Sequence, residues 1–286
     1  MKRFLHISAF TLGLLIVAII ALLIAVQTPR VQTFLAEKAV AMLQDNLGGD
    51  IKFSEIQVHP FDAVVVKDVV IIDREPVSGF GMAPVDTIAK AKYIVATFSA
   101  KGLFKKEGIH IRRAYLSDAQ FNLVTEPGGT NLQRFLNTKK KEEKKPMGNI
   151  FDAQQVEVQN LKFTLTNLNG IAKENGRSRA NGSIDWNRLN VTVMSLKGKD
   201  VNLGGGYMSG EVVSAELKEK SGYHIHSLSA KAKVGGGKTD ISSIKLSDNW
   251  SIANIPSLVM NYDDASAFSD FIARVRLGLE IKDSRL

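Results

Sequence analysis

Two histidines on a predicted strand come closest to a chemical site in their types and spacing. His224 and His226 lie in Tyr223-His224-Ile225-His226, so alternation along a strand would place both imidazoles on one face. Imidazoles at this spacing could hold a transition metal, but no third ligand follows at a spacing typical of metal sites. The pattern favours a half-exposed strand with polar histidines, and we expect no metal.

Other candidate motifs lack essential parts. The glycine runs at 204–206 and 235–237 carry no Lys-Ser/Thr pair and follow no strand-helix pattern, so they predict turns and not a phosphate-binding loop. Asp263-Asp264 resembles half of a paired-carboxylate site, but its context favours a turn and a helix cap. The chain has no cysteine, which excludes disulfides and thiolate metal sites. We therefore expect neither an enzyme nor a cofactor.

An apolar segment near the N-terminus would anchor the whole chain to a membrane. It runs from Ile7 to Val26 and would be about 30 Å long as a helix, which matches the hydrocarbon core of a bilayer. We predict an uncleaved anchor within residues 1–28. A cleaved signal peptide is the competing interpretation, but its apolar core is usually only about 7 to 15 residues long. Lys2 and Arg3 favour a cytoplasmic N-terminus, with the remaining chain across the membrane.

The net charge of +8 is concentrated in short segments. Lys2, Arg3 and Arg30 supply +3, and residues 139–145, with five lysines and two glutamates, supply another +3. Only about +2 remains for the folded body, which is too little for a phosphate-binding surface, so we expect no nucleic-acid partner. The seven adjacent charges predict a solvated loop in a linker at 139–148, and contact with acidic lipids is the alternative.

Residues 29–49 predict an amphipathic helix. Thr28-Pro29 is typical of an N-cap followed by proline at the first helical position. Gly48-Gly49 could end the helix in a left-handed cap. Because the polar face has no excess of lysine and arginine, packing against a core is favoured over lying on the membrane surface. Apolar residues recur at spacings of three and four: Val31, Phe34, Leu35, Ala39, Met42, Leu43 and Leu47.

An alternating pattern with one irregularity recurs four times from Ile51 onwards. Alternation indicates a strand with one buried face, and an extra residue must be absorbed by a bulge or a turn if that face is to stay inside. Each copy therefore predicts a bent strand or a tight hairpin of a repeated β unit. The copies are Ile51, Phe53, Ile56 and Val58; Val64, Val66, Val69 and Ile71; Ile109, Ile111, Ala114 and Leu116; and Val156, Val158, Leu161 and Phe163.

Alternation resumes after Pro146, with glycine-rich turns between the runs. The sequence therefore predicts a mainly β, largely antiparallel fold, with one β segment at 50–138 and a second at 149–286.

Several segments together resemble a known family. They are the anchor followed by Thr28-Pro29, the helix ending at Leu47-Gly48-Gly49, the segment Ile56 to Asp73 with Pro60-Phe61 and Asp68-Val69, and Gly129-Thr130-Asn131-Leu132 with the lysine-rich interruption after it. This arrangement resembles the AsmA-like proteins of Gram-negative bacteria, and within them the N-terminal region of TamB-like translocation and assembly proteins. The resemblance extends over about the first 170 residues.

The resemblance implies an inner-membrane protein whose periplasmic part is an elongated, taco-like β-groove with an apolar interior. Such a groove would assist phospholipid transport toward the outer membrane. TamB-like chains are several times longer than this one, so we expect the segment 149–286 to be truncated. The residues expected to line the groove and contact acyl chains are Val66, Ile71, Ile111, Leu116, Phe121, Leu123, Val158, Phe163 and Leu165.

A second function follows from the same resemblance. TamB-like members are also linked to outer-membrane protein assembly with a partner β-barrel. The alternative is therefore an assembly or secretion factor in which an exposed sheet edge pairs with a client strand. The expected partners are phospholipids, the inner membrane and an outer-membrane β-barrel.

Overall fold

The computed structural model describes residues 29–30, 32–34, 37, 48–59, 62–76, 86–98, 109–126, 129–136, 149–172, 183–204, 206–263 and 271–285. Within these residues the chain forms one sheet of thirteen strands. They are β1 Gly49–Lys52, β2 Glu55–His59, β3 Ala63–Asp73, β4 Thr87–Phe98, β5 Ile109–Glu126, β6 Gly129–Thr130, β7 Asn149–Asn167, β8 Arg188–Gly204, β9 Tyr207–Glu219, β10 His224–Gly235, β11 Lys238–Asp248, β12 Ile252–Asn261 and β13 Arg276–Arg285.

The strand order follows the chain closely: β1-β3-β4-β5-β7-β8-β9-β10-β11-β12-β13, with β2 beside β3 and β6 beside β5. All neighbouring strands are antiparallel except β5 and β7, which are parallel. The parallel pair joins two meanders, so the predicted segments 50–138 and 149–286 share one sheet. The prediction of a mainly β, largely antiparallel fold is confirmed, while the linker predicted at 139–148 lies outside the described residues.

Local composition accounts for the strands and their turns. Strand β3 has the sequence AVVVKDVVIID, and β-branched side chains of this kind favour extended backbone. The turn between β10 and β11 contains Gly235, Gly236 and Gly237, whose φ angles are 147°, 58° and 73°. Glycine adopts such angles without steric cost, and the turn predicted here is confirmed.

Besides the helical residues near position 30, the described part of the chain contains three short helices: α1 Asn131–Leu136, α2 Leu168–Ala172 and α3 Phe271–Arg274. Val124 of β5 forms a buried cluster with Leu168 and Ile171 of α2. Because Val124 alternates with Leu123 along β5, this cluster lies on the side of the sheet opposite to Leu123. None of the described helices has both the length and the apolar character needed to cross a bilayer. The anchor predicted at 7–26 lies outside the described residues.

Residues 29–30, 32–34 and 37 are helical, within the predicted amphipathic helix. The left-handed cap predicted for Gly48-Gly49 is wrong, because Gly49 already begins β1 and neither glycine has a positive φ. Close approach of backbone explains these glycines instead. A Cβ atom would lie 2.3 Å from the carbonyl oxygen of Arg134 at Gly48, and 2.2 Å from that of Ile72 at Gly49.

Candidate apolar binding face

One side of the sheet carries an unbroken row of apolar residues. Each residue is paired in register with the next one on the neighbouring strand, and paired residues point to the same side of a sheet. With about 4.8 Å between strands, the row is about 43 Å long. This central row crosses ten strands and consists of Ile56, Val66, Ile94, Leu116, Val158, Leu196, Ala215, Leu228, Leu246 and Ala253.

Further rows flank the central row on the same side, and together with it they form what we call the apolar face. On one flank lie Val58, Val64, Ala96, Ala114, Val156, Gly198, Val212 and Ala230. On the other flank lie Val69, Ala91, Ala119, Leu161, Val193, Leu217 and Ile225, followed by Ile51, Ile71, Ala89, Phe121, Phe163 and Val191.

Kinks that preserve the register keep these rows on one side. The central row and the row after it are three residues apart along β3, β5 and β7, a spacing that would send them to opposite sides of a regular strand. Asp68, Asp118 and Asn160 absorb the extra residue with φ angles of 51°, 49° and 53°. Asp and Asn adopt the left-handed region more readily than other non-glycine residues. The bent strands predicted for the copies at 64–71 and 156–163 are therefore confirmed.

The three kinks also lie at the same level of the sheet, since residue 68 is level with residue 118 through residue 92 of β4. The register places residue 118 opposite residue 160, between the pairs Ser117–Gln159 and Ala119–Leu161. The Asn160 Nδ2 donates a hydrogen bond to Asp118 Oδ1 at 2.7 Å. Strands β5 and β7 thus bend together, which keeps the apolar face continuous across their pairing.

The register places the predicted groove residues on one side of the sheet. Ile111 and Val158 are buried, and the other seven are half-buried. Their contact with acyl chains stays a prediction. Six belong to the rows above: Val66, Leu116 and Val158 in the central row, and Ile71, Phe121 and Phe163 in the outermost row. Leu123 pairs with Leu165, and Ile111 pairs with Ala153.

The apolar face extends beyond the predicted residues into β8–β12. Leu196, Leu228 and Leu246 belong to the central row and are half-buried. The signal for this extension is present in the sequence, because Ile241 and Ile244 flank two serines with the same irregular spacing. Ser243, the second of these serines, has a φ of 54°, similar to the φ angles of Asp68, Asp118 and Asn160.

The opposite side of the sheet is polar outside the end covered by α2, where Val124 is buried with Leu168 and Ile171. Arg113 Nη2 lies 2.6 Å from Glu157 Oε2, and this hydrogen bond lowers the pKa of Glu157 below its ordinary value. The sheet is therefore amphipathic through its thickness. One row in register on the polar side consists of Lys90, Gln120, Lys162, Thr192 and Lys218.

A buried polar network fixes α1 at one end of the sheet. Arg134 Nη2 donates to Asp73 Oδ2 at 2.6 Å, and its other terminal nitrogen pairs with Glu126. The Asp73 side chain is fully buried, and its hydrogen bonds raise the pKa of Arg134. Asn131 Oδ1 accepts from the backbone N–H groups of Val124 and Leu132 at 3.0 and 2.9 Å. Asn131 therefore ties α1 to β5.

The two outer edges of the sheet differ. At β2, Gln32 Nε2 donates to the Val58 carbonyl at 2.9 Å, and Thr33 Oγ1 accepts from the Ile56 N–H at 2.9 Å. Helical side chains thus occupy backbone groups of β2 that face away from β3. Strand β13 pairs with β12 on one side, and its apolar residues Leu277, Leu279 and Ile281 are 51%, 49% and 52% exposed. Sequence reasoning missed the role of Gln32 and Thr33, since a polar residue in a helix carries no sign of its partner.

The two histidines singled out from the sequence do lie together. Their ring centroids are 4.0 Å apart. His224 Nε2 lies 2.9 Å from Glu216 Oε1, and His226 Nε2 lies 2.5 Å from Asn249 Oδ1. Among the described residues, no group of three His, Cys, Asp or Glu side chains is arranged to hold a metal ion.

An aromatic pair lies at the turn ends beside these histidines. Tyr223 and Trp250 stack with ring centroids 6.5 Å apart, and Trp250 is 69% exposed. Tyr223 Oη donates to Asp248 Oδ2 at 2.7 Å. This hydrogen bond, with desolvation and the negative charge of Asp248, raises the pKa of Tyr223 to about 12. The same bond lowers the pKa of Asp248.

No protein-family model matches the chain, and no curated protein matches it significantly. The candidate site therefore stands on its geometry, which is an amphipathic sheet with one continuous apolar face.

Proposed function

We propose that this protein is an inner-membrane-anchored periplasmic β-groove protein that assists phospholipid transport toward the outer membrane. The observation that carries the proposal is the central row, which continues through ten strands without a polar residue. An acyl chain needs such an uninterrupted apolar path, because each polar interruption would have to lose its water. The activity proposed is binding and transfer, not catalysis.

The partial exposure of the apolar face supports this proposal. In an ordinary β-sandwich the large residues of an inner face are covered by a second sheet about 10 Å away. Here Leu116, Leu196 and Leu228 are half-buried, although they lie in the middle strands of the sheet. Burying such surface against an acyl chain contributes about 25 cal/mol per Å². The inner-membrane location and the cytoplasmic N-terminus rest on the sequence of residues 1–28.

Site-specific photo-crosslinking of the full chain in cell membranes tests the proposal. A photo-crosslinker at Phe121 or Leu123 should capture phospholipid, identified by mass spectrometry. The matched control is Tyr115, which lies on the polar side of β5, where a crosslinker should capture none. If Phe121 and Leu123 yield only protein adducts, the apolar face is a sealed core and the conduit is ruled out.

The second candidate is an assembly or secretion factor for outer-membrane proteins that acts by strand pairing. The observation that favours it is β13, an edge strand whose apolar residues are about half exposed. A client strand added there would extend the sheet by backbone hydrogen bonds. A crosslinker at Leu279 that captures an outer-membrane β-barrel protein, with no lipid adduct at Phe121, would favour this function.

A further inference from the structure

Strand β13 contains a glycine that its surroundings in the sheet do not require. Gly278 lies in the interior of β13 without a left-handed φ, and an added Cβ atom would lie 3.9 Å from the nearest atom, an ordinary van der Waals distance. At Gly198 and Gly210, inside β8 and β9, the corresponding distances are 3.3 and 3.2 Å. Glycine weakens the interior of a strand and often marks a place where another backbone approaches closely. Within the described part of the chain, no backbone makes such an approach at Gly278.

The segment around Gly278 is complementary to itself. Residues 276–280 have the sequence Arg-Leu-Gly-Leu-Glu. If two such strands pair antiparallel about Gly278, Arg276 of each lies opposite Glu280 of the other, and Leu277 lies opposite Leu279. Opposite charges and apolar side chains that face each other directly stabilise a strand pair. The two glycines at the centre would let the two backbones approach without a side chain between them.

The outer edge of β13 is available for this pairing. Among the described strands β13 pairs only with β12, and all of residues 276–280 are exposed. Lys282 Nζ lies 2.9 Å from Glu280 Oε1 on the same strand. A carboxylate has two oxygens that accept hydrogen bonds, so Glu280 can also accept from Arg276 of a second copy.

Pairing about Gly278 would join the apolar faces of two copies. An additional row of that face reaches the edge at Leu279, beginning two residues beyond Ala230 on β10. Residues that are paired across two strands point to the same side of the sheet. Leu279 would therefore meet Leu277 of the second copy on the apolar side. The row consists of Ala232, Ile241, Leu258 and Leu279.

We propose that β13 is a dimerisation edge, which pairs antiparallel with β13 of a second copy about a twofold axis at Gly278. The two sheets then form one continuous sheet with the apolar faces on the same side. This inference does not depend on lipid binding. It also differs from client-strand pairing, because the occupant of the edge is the chain itself.

Disulfide trapping in the full chain tests this dimer, because the chain has no cysteine of its own. Gly278→Cys should form a disulfide-linked dimer when cell membranes are oxidised, since directly paired Cα atoms lie about 4.5 to 5.5 Å apart, within disulfide reach. Leu279→Cys should form it at least about tenfold more slowly, because the two copies of residue 279 are diagonal neighbours about 7 to 8 Å apart. Tyr115→Cys, on the polar side of β5, measures the rate of random collision.

The charge match provides a second measurement. In the Gly278→Cys chain, Arg276→Glu should slow crosslinking about tenfold, because like charges then face each other at both symmetric positions. Adding Glu280→Arg exchanges the two charges and should restore the rate.

Three results would overturn the proposed dimer. They are a rate for Gly278→Cys no higher than that for Leu279→Cys or Tyr115→Cys, disulfides from residue 278 to other proteins only, and no recovery in the charge-exchanged chain. None of these results bears on lipid capture at Phe121, so the dimer and the proposed function are tested separately.

Discussion

Phe121 and Phe163 face each other across the parallel strands β5 and β7, with ring centroids 6.0 Å apart and ring planes 18° apart. Both rings lie on the apolar face, so a substitution in this pair tests whether that face is open to solvent. In a sealed core Phe163→Arg would bury an unpaired charge at a cost of several kcal/mol. On an open face the guanidinium can reach water along its apolar stem, and the cost falls to about 1 to 2 kcal/mol.

We therefore expect Phe163→Arg to stay folded and to lose lipid capture at Phe121. Chemical denaturation followed by circular dichroism measures the first effect, and crosslinking measures the second. Gln159→Arg, on the exposed polar side of the same strand, should change neither. Cooperative unfolding of Phe163→Arg under native conditions would contradict the open face.

The left-handed kink at Asn160 predicts an unusual order of stability among substitutions. Its φ of 53° is unfavourable for a β-branched side chain, so Asn160→Val should lower the free energy of unfolding by roughly 1 to 2 kcal/mol. Asn160→Gly should cost less than Asn160→Val, because glycine adopts this φ freely and loses only the hydrogen bond to Asp118. Denaturant midpoints compare the two variants, and a more stable valine variant would argue against the left-handed kink.

Arg134 of α1 is expected to be much more sensitive to removal than Arg113 of β5. Removing it leaves Asp73 and Glu126 without their cation in a buried setting, so Arg134→Ala should cost about 3 to 5 kcal/mol. Arg113→Ala removes a pair whose arginine is 55% exposed and should cost less than about 1 kcal/mol. Thermal unfolding of both variants measures the contrast, which would be absent if α1 were not docked through Arg134.

Tyr223 should lose its proton at a higher pH than an ordinary tyrosine, and the free energy of unfolding should therefore fall at alkaline pH. Because its folded pKa of about 12 lies above its ordinary value, its contribution is complete below about pH 10 and is lost as the pH rises through 12. Subtracting the tyrosinate absorbance titration of Tyr223→Phe from that of the native chain isolates this group. Asp248→Asn should move the transition toward lower pH, and an unchanged transition would exclude Asp248 as the cause.

The membrane topology predicted from residues 1–28 is testable separately. Alkaline phosphatase is active only after export, so a fusion placed after Lys145 should be active if the chain beyond Thr28 is periplasmic. A fusion of β-galactosidase at the same position should be inactive. The reverse pattern would place the sheet in the cytoplasm and end the inner-membrane interpretation.

The strands and their bends could be predicted from the sequence because they depend on the local spacing of apolar residues. The irregularities around Asp68 and Asn160 are visible in the sequence because two residues separate apolar positions where regular alternation has one. The parallel pairing of β5 with β7 could not be predicted, since parallel partners are not joined by a short turn and no local pattern marks them. The helix cap predicted at Gly48-Gly49 was wrong for a related reason. A glycine pair is compatible with a helix cap and also with close backbone contact, and the contact with Arg134, which is distant in the chain, leaves no local sign in the sequence.

The parallel pair also sets the order in which the sheet can fold. Most strand pairs of each meander are formed by neighbours in the chain, whereas the partners in β5 and β7 are 42 residues apart. Contacts between distant residues carry a greater loop-closure entropy and form more slowly. The two meanders should therefore assemble first and join last at β5 and β7. Until they join, each presents a long unpaired edge with one apolar side, and that edge is where aggregation during synthesis would begin.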